Sequence, residues 1–139
     1  MKLITKIITA ILGIVILMPG IAKFSEPFKT FIYQHIKLIV FPLSEIMQHI
    51  VKFSEVGIGL MMIFIAFLGH KLNSKTRDTL FFLGNTGIIS MMIVAIYTHL
   101  HPDVPAEILP LEYKPPVMAV AYLILAIVNL ILNRKKINS

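Results

Sequence analysis

The chain has 139 residues, of which 57% are hydrophobic and only 14% charged, with no cysteine, a formal net charge of +6 and a mean hydropathy of +0.85. A soluble domain carries about 25% charged residues and less apolar content, so the composition points to a small integral membrane protein folded as a single domain over residues 1–139. Disulfides, thiol chemistry and cysteine metal sites are excluded, and the basic residues flank apolar segments, so membrane topology and anionic lipid explain them and nucleic acid does not.

The first apolar segment runs from about Leu3 to Ala22 and is interrupted only by Lys6. Roughly 20 helical residues, rising about 1.5 Å each, cross the hydrocarbon, so it is long enough to span. Lys2 and Lys6, the apolar run and the small residues of "GIA" before Lys23 also fit a cleavable signal peptide, which would leave three spans. The length of the run and the helix-ending Pro19-Gly20 favour retention. "IAKFSE" at 21–26 closes this segment and returns as "IVKFSE" at 51–56. The chain reverses direction between the two, so they are not equivalent structural units.

Between them, Phe28, Phe31, Ile32, Ile36, Ile39, Val40 and Leu43 recur at helical spacing, with Thr30, Gln34, Lys37, Ser44, Glu45 and Gln48 opposite. This predicts an amphipathic helix over about 28–50, lying on the outer membrane surface and bent near Pro42. His35 and His49 on it are expected to be interfacial and solvated, as are Glu26 and Lys52. A second span is predicted over about 53–69, a third over 79–100 and a fourth over 116–132, all rich in Leu, Ile, Met and Ala. In lipid the backbone must satisfy itself, which leaves helices. The loop between the third and fourth holds five prolines, at 102, 105, 110, 115 and 116, and reads as a short ordered cap. The expected fold class is therefore all-α: a four-transmembrane-helix bundle with an outer-surface amphipathic helix between helices 1 and 2.

Lys2, Lys6, Lys71, Lys75, Arg77, Arg134, Lys135 and Lys136 all fall on one side of such a bundle. The positive-inside rule puts that side, and both termini, in the cytoplasm. Charged residues within a membrane face the bundle interior or an aqueous cavity. Lys23 at the end of the first span, Glu55 at the start of the second and His99 at the end of the third then arrive at one depth near the outer leaflet. Glu55, Gly59, Met62 and Ala66 share a face, so Glu55 points along the packed side, where small residues let helices approach. Asn85, Met92 and His99 repeat every seven residues, as do Tyr122 and Asn129. A Lys23–Glu55 pair would offset the desolvation of each partner, with His99 available as a proton carrier. The candidate ligand-binding set is Lys23, Glu55, His99, Asn85 and Tyr97. His99, His101 and Asp103 in "HLHPD" are weak candidates for metal ligands, because H-x-H converges only on an extended segment and a helix ends here. Phosphate-loop, nucleophile-elbow and zinc-protease motifs are absent.

"GIAKF" closing the first helix, "FSEVGIGLMM" opening the second and "AIYTHLHPDVPAEILPLEYKPP" after the third resemble the DoxX family of small bacterial four-helix membrane proteins. The resemblance covers nearly the whole chain, although the 28–50 segment is longer than the family's usual first loop. It implies Lys23, Glu55 and His99 as the polar set at the outer edge. It also implies an accessory or ligand-binding subunit of a membrane redox complex, with a partner redox subunit or a bound quinone supplying the redox chemistry. Membrane lipids are the other expected partners. The competing reading is a small-solute transporter or channel acting as a homo-oligomer, with Asn85 and Asn129 extending a polar path inward. A stand-alone enzyme ranks last, since no nucleophile–base pair is visible.

Overall fold

The computed structural model describes residues 1–39 and 42–134. Five α-helices follow one another: α1 Leu3–Ala22, α2 Phe28–Ile39, α3 Ser44–Leu68, α4 Ser74–Leu100 and α5 Val117–Arg134, with 3₁₀ turns at Gly69–Lys71, Ala106–Ile108 and Pro110–Glu112. No strand occurs among the described residues. Four of the helices, α1, α3 with its extension to Lys71, α4 and α5, are long and apolar enough to cross a membrane. This is the architecture of a multi-pass membrane protein.

The second long helix begins at Ser44, not near Phe53, so residues 44–50 belong to α3 and the expected 28–50 segment is divided. Pro42 explains the division. It lacks the backbone donor that a continuous helix through this position would need. The helix restarts beyond it, with Met47 N donating to Leu43 O at 3.0 Å. Val40 of the expected apolar stripe lies outside the described residues, as do Lys135 and Lys136. α2 keeps the amphipathic pattern but turns Ile32 and Ile36 inward, 3% and 7% exposed, while Phe28 and Leu38 stay exposed. It packs on α3 and on the 106–108 turn. α4 starts at Ser74 because Asn73 caps it, its Oδ1 accepting from Thr76 N at 2.8 Å.

The most extensive helix contact is α1 on α3, followed by α4 on α5. Glycine makes the first possible. A Cβ at Gly59 would sit 2.8 Å from both the Cβ and the backbone N of Leu17, and one at Gly20 would sit 2.9 Å from Glu55 Cβ. Close approach at small residues replaces the hydrophobic drive that lipid removes. Leu12, Ile16, Met62, Ile88, Met92 and Ala126 fill the middle of the bundle.

At one end, α2 and the 101–116 loop fold over the helix termini. The loop is ordered by its own packing. Val104 and Leu109 are buried, and Lys114 Nζ donates to the carbonyl of His101 at 2.6 Å and to that of Val104. Leu111 and Glu112 take left-handed backbone conformations, with φ of 60° and 50°. Such conformations are sparsely populated by non-glycine residues and mark the tight reversal that returns the chain to α5.

Candidate functional site: a charged cluster beneath the cap

Lys23 is the C-cap residue of α1, its backbone N–H donating to Pro19 O at 3.1 Å. Its position places the ammonium beside α3, where Nζ donates to both carboxylate oxygens of Glu55 at 2.5 Å. The two side chains are only 17% and 12% exposed. Gly20, one turn before Lys23, allows this approach, because any side chain there would meet Glu55. A bidentate, charge-assisted pair with little water around it is among the stronger polar contacts a protein makes.

His35 of α2 joins this pair. Burial first, then the nearby Lys23 and His99, push its pKa down from the usual 6.5 to about 4, against the opposing effect of a hydrogen bond to the Ile108 backbone. Its Nδ1 is buried and has no partner among the described residues. The expectation that His35 is solvated is therefore corrected. His35 shares the Ile32–Ile36 stripe of α2, which folds inward and carries it under the cap. The available signal was the i, i+3, i+4 spacing of 32, 35 and 36.

His99, at the end of α4, reaches the same region through His35 and is anchored by the loop. Its Nδ1 lies 3.1 Å from Lys114 O. A carbonyl can only accept, so Nδ1 carries the proton of that bond, leaving Nε2 as the acceptor of the neutral ring. Lys52 is also not the solvated residue expected: it is 3% exposed, its ammonium 5.4 Å from the centroid of the Phe24 ring. Phe24 in turn meets Phe53 edge-on at 5.5 Å. Glu26 is exposed as expected, and accepts from Thr30 N and Oγ1 in the first turn of α2.

Tyr97 and Asn85 lie elsewhere. Tyr97 is two residues, about 200° of helix, from His99. It is 56% exposed and packs edge-on against His101 at 5.5 Å. Asn85 shares the His99 stripe but lies about 21 Å deeper along α4. There it belongs to a second, fully buried polar set. Asn129 Nδ2 donates to Thr9 Oγ1 at 3.0 Å and to Asn85 Oδ1 at 3.1 Å, tying α5 to α1 and α4. Asn85 Nδ2 donates to Phe81 O, and Thr9 Oγ1 to Thr5 O. Leu12, Ile16, Met62, Ile88 and Met92 separate this set from the Lys23–Glu55 cluster.

His101 Nδ1 accepts from Asp103 N at 3.3 Å while His99 turns to Lys114, so the two imidazoles do not converge. Among the described residues no three His, Asp or Glu side chains gather closely enough to hold a metal ion. Compared with models of known families, with curated proteins and with solved structures, the chain finds no match.

Proposed function

We propose that this chain is a DoxX-like membrane protein that binds a lipophilic molecule with a polar head, such as a quinone, as an accessory subunit of a membrane redox complex. The observation that carries the reading is the gathering of Lys23, Glu55, His35 and His99 under α2 and the 101–116 loop. Charged and titratable groups at the end of a membrane bundle are costly and mark sites of binding or proton transfer. Lysine attracts or donates to the head group, glutamate holds the lysine, and the two imidazoles exchange protons with it. The apolar body of the ligand enters from the lipid between the helices. In this reading the cap faces outward and both termini face the cytoplasm of a bacterial inner membrane, following Lys2, Lys6, Lys71, Lys75 and Arg77. α2 then lies at the outer surface, and a partner subunit supplies redox chemistry, since the chain has no cysteine.

Lys23→Ala and Glu55→Ala in the full chain should each abolish binding of a short-chain ubiquinone analogue while the protein stays monodisperse in detergent. Normal binding by both variants would reject the site.

One observation favours transport as a second reading: Asn129 Oδ1 and Thr5 Oγ1 are buried without partners among the described residues, a deeper polar level on which a solute could pause. The closed apolar layer between the two polar sets weighs against it. Solute flux in proteoliposomes that falls in Asn85→Leu would favour transport over binding.

A further inference from the structure

Thr5, Thr9, Asn85 and Asn129 of the deeper polar set are each 0% exposed. Hydrogen bonds join all four. Asn129 Nδ2 donates to Thr9 Oγ1 at 3.0 Å and to Asn85 Oδ1 at 3.1 Å, and Thr9 Oγ1 donates to Thr5 O at 2.7 Å. The Thr9 hydroxyl therefore touches both the Asn129 carboxamide and the Thr5 carbonyl. Asn129 uses both amide protons in these bonds. Its Oδ1, which can only accept, is buried without a partner among the described residues. Thr5 Oγ1, which can donate, is buried in the same state. Thr9 satisfies its hydroxyl on the carbonyl four residues earlier. α1 begins at Leu3, so no helical carbonyl stands four residues before Thr5. One end of the network thus lacks a donor and the other lacks an acceptor. Unmet groups at this depth are costly, because lipid offers no hydrogen bond in exchange.

We infer that a single internal water completes this network, donating to Asn129 Oδ1 and accepting from Thr5 Oγ1. With all four residues fully buried, whatever completes the set is small. Every group in it is neutral, so a cation there would stand without a counter-ion. A water needs two or more polar partners, and these two are a matched acceptor and donor. Access comes from the basic end of the bundle. Thr5 lies two residues, about 3 Å of rise, inside the start of α1, and Lys2 and Lys6 beside it are exposed. α5 meets α1 here through Asn129, five residues before its own end at Arg134. The water is then part of the joint that ties α5 to α1. The apolar layer through Leu12, Ile16 and Met62 separates it from the cap, so it does not depend on the lipophile site.

The test uses the full chain, perdeuterated with protonated exchangeable sites, in deuterated detergent micelles. NOE and ROE spectra read magnetisation transfer from water to the Asn129 side-chain amide. Signs that differ between the two spectra mark a water lodged beside the amide, and signs that agree mark proton exchange. Wild type should show the lodged water. Thr5→Val, which removes the hydroxyl at nearly constant volume, should lose most of that signal, and Thr5→Ser should keep it. In detergent unfolding, Thr5→Val should shift the unfolding constant about threefold, the worth of one hydrogen bond between membrane helices, and should have no such effect in the Asn129→Leu background. Absence of the signal in folded wild type would overturn the inference. So would a signal that survives unchanged in Thr5→Val, since the Thr9 hydroxyl alone could then relay it. Replacing sodium and potassium with N-methylglucamine should leave the Asn129 amide shifts unchanged. A saturable shift on restoring either ion would put a cation in place of the water and overturn the inference as well. Each of these results leaves the lipophile site beneath the cap standing.

Discussion

Replacing Glu55 with leucine leaves the Lys23 ammonium beside α3 without its counter-ion. In the folded protein the two side chains are 17% and 12% exposed, so water replaces little of what is lost. Breaking a buried pair from one side costs about 3–5 kcal/mol, and the residual exposure lowers the figure here to about 2–4 kcal/mol. Lys23→Met should cost a similar amount, because it strands the carboxylate next to the lysine-depleted end of α1. The double variant Lys23→Met/Glu55→Leu strands nothing. Two apolar side chains then meet where Gly20 already brings the helices together, and stability should return to within about 1 kcal/mol of wild type. The coupling energy of the cycle is therefore at least about 3 kcal/mol. Equilibrium unfolding of all four proteins in mixed micelles measures it. Strict additivity of the two single variants would refute the reasoning, since it would mean that the groups do not meet. The same proteins separate structure from binding. A double variant that is stable yet binds no quinone analogue assigns the pair to the ligand, whereas one that is stable and binds it normally reduces the pair to a clamp.

The His35 imidazole is neutral in the folded protein down to about pH 4, whereas unfolded it accepts a proton near 6.5. Between these values the unfolded state binds more protons, so docking of α2 is most stable above pH 6.5. It weakens as pH falls toward 4, by up to about 3 kcal/mol. Hydrogen exchange of the α2 amides at pH 7 and pH 5 should show this, and an identical pH response in His35→Phe would exclude His35 as its source. Gly59→Ala drives a methyl into Leu17 and Gly20→Ala drives one into Glu55, at 2.8–2.9 Å. Each should destabilise by about 1–3 kcal/mol in detergent unfolding, and Gly20→Ala should also weaken ligand binding. Asn129→Leu breaks the links to Thr9 and Asn85 and should lower thermal stability without altering binding at the cap. A loss of cap binding in folded Asn129→Leu would show that the two polar levels are coupled. Tyr97→Phe should change neither stability nor binding, because Tyr97 faces away from the cluster.

Four apolar runs, their flanking charges and the prolines between them are properties of the sequence itself, and they are enough to specify a helical bundle that crosses a membrane. The convergence of Lys23 and Glu55 was legible too, because alternating spans of known length bring those two positions to one depth. The glycine stripe gave the face on which Glu55 packs. The start of α3 was less legible. Ser44, Glu45, Gln48, His49 and Lys52 make the first turns of that helix look like part of the preceding amphipathic segment, and only the break around Pro42 divides the two. Asn85, Asn129 and Thr9 each sit on a readable stripe, yet periodicity alone does not say which stripes face one another across α1, α4 and α5.

His35 and Lys52 show where reading by sequence stops. Each is a polar residue on an amphipathic stretch, the pattern that ordinarily means solvent. The burial of His35 depends on α2 folding inward on Ile32 and Ile36 against the loop that Lys114 ties down, and the Lys52 ammonium lies by the Phe24 ring, which arrives from the end of α1. Periodicity fixes which side chains share a face of one helix. What covers that face is decided by segments far away in the chain, and the energy that buries a charge there is tertiary.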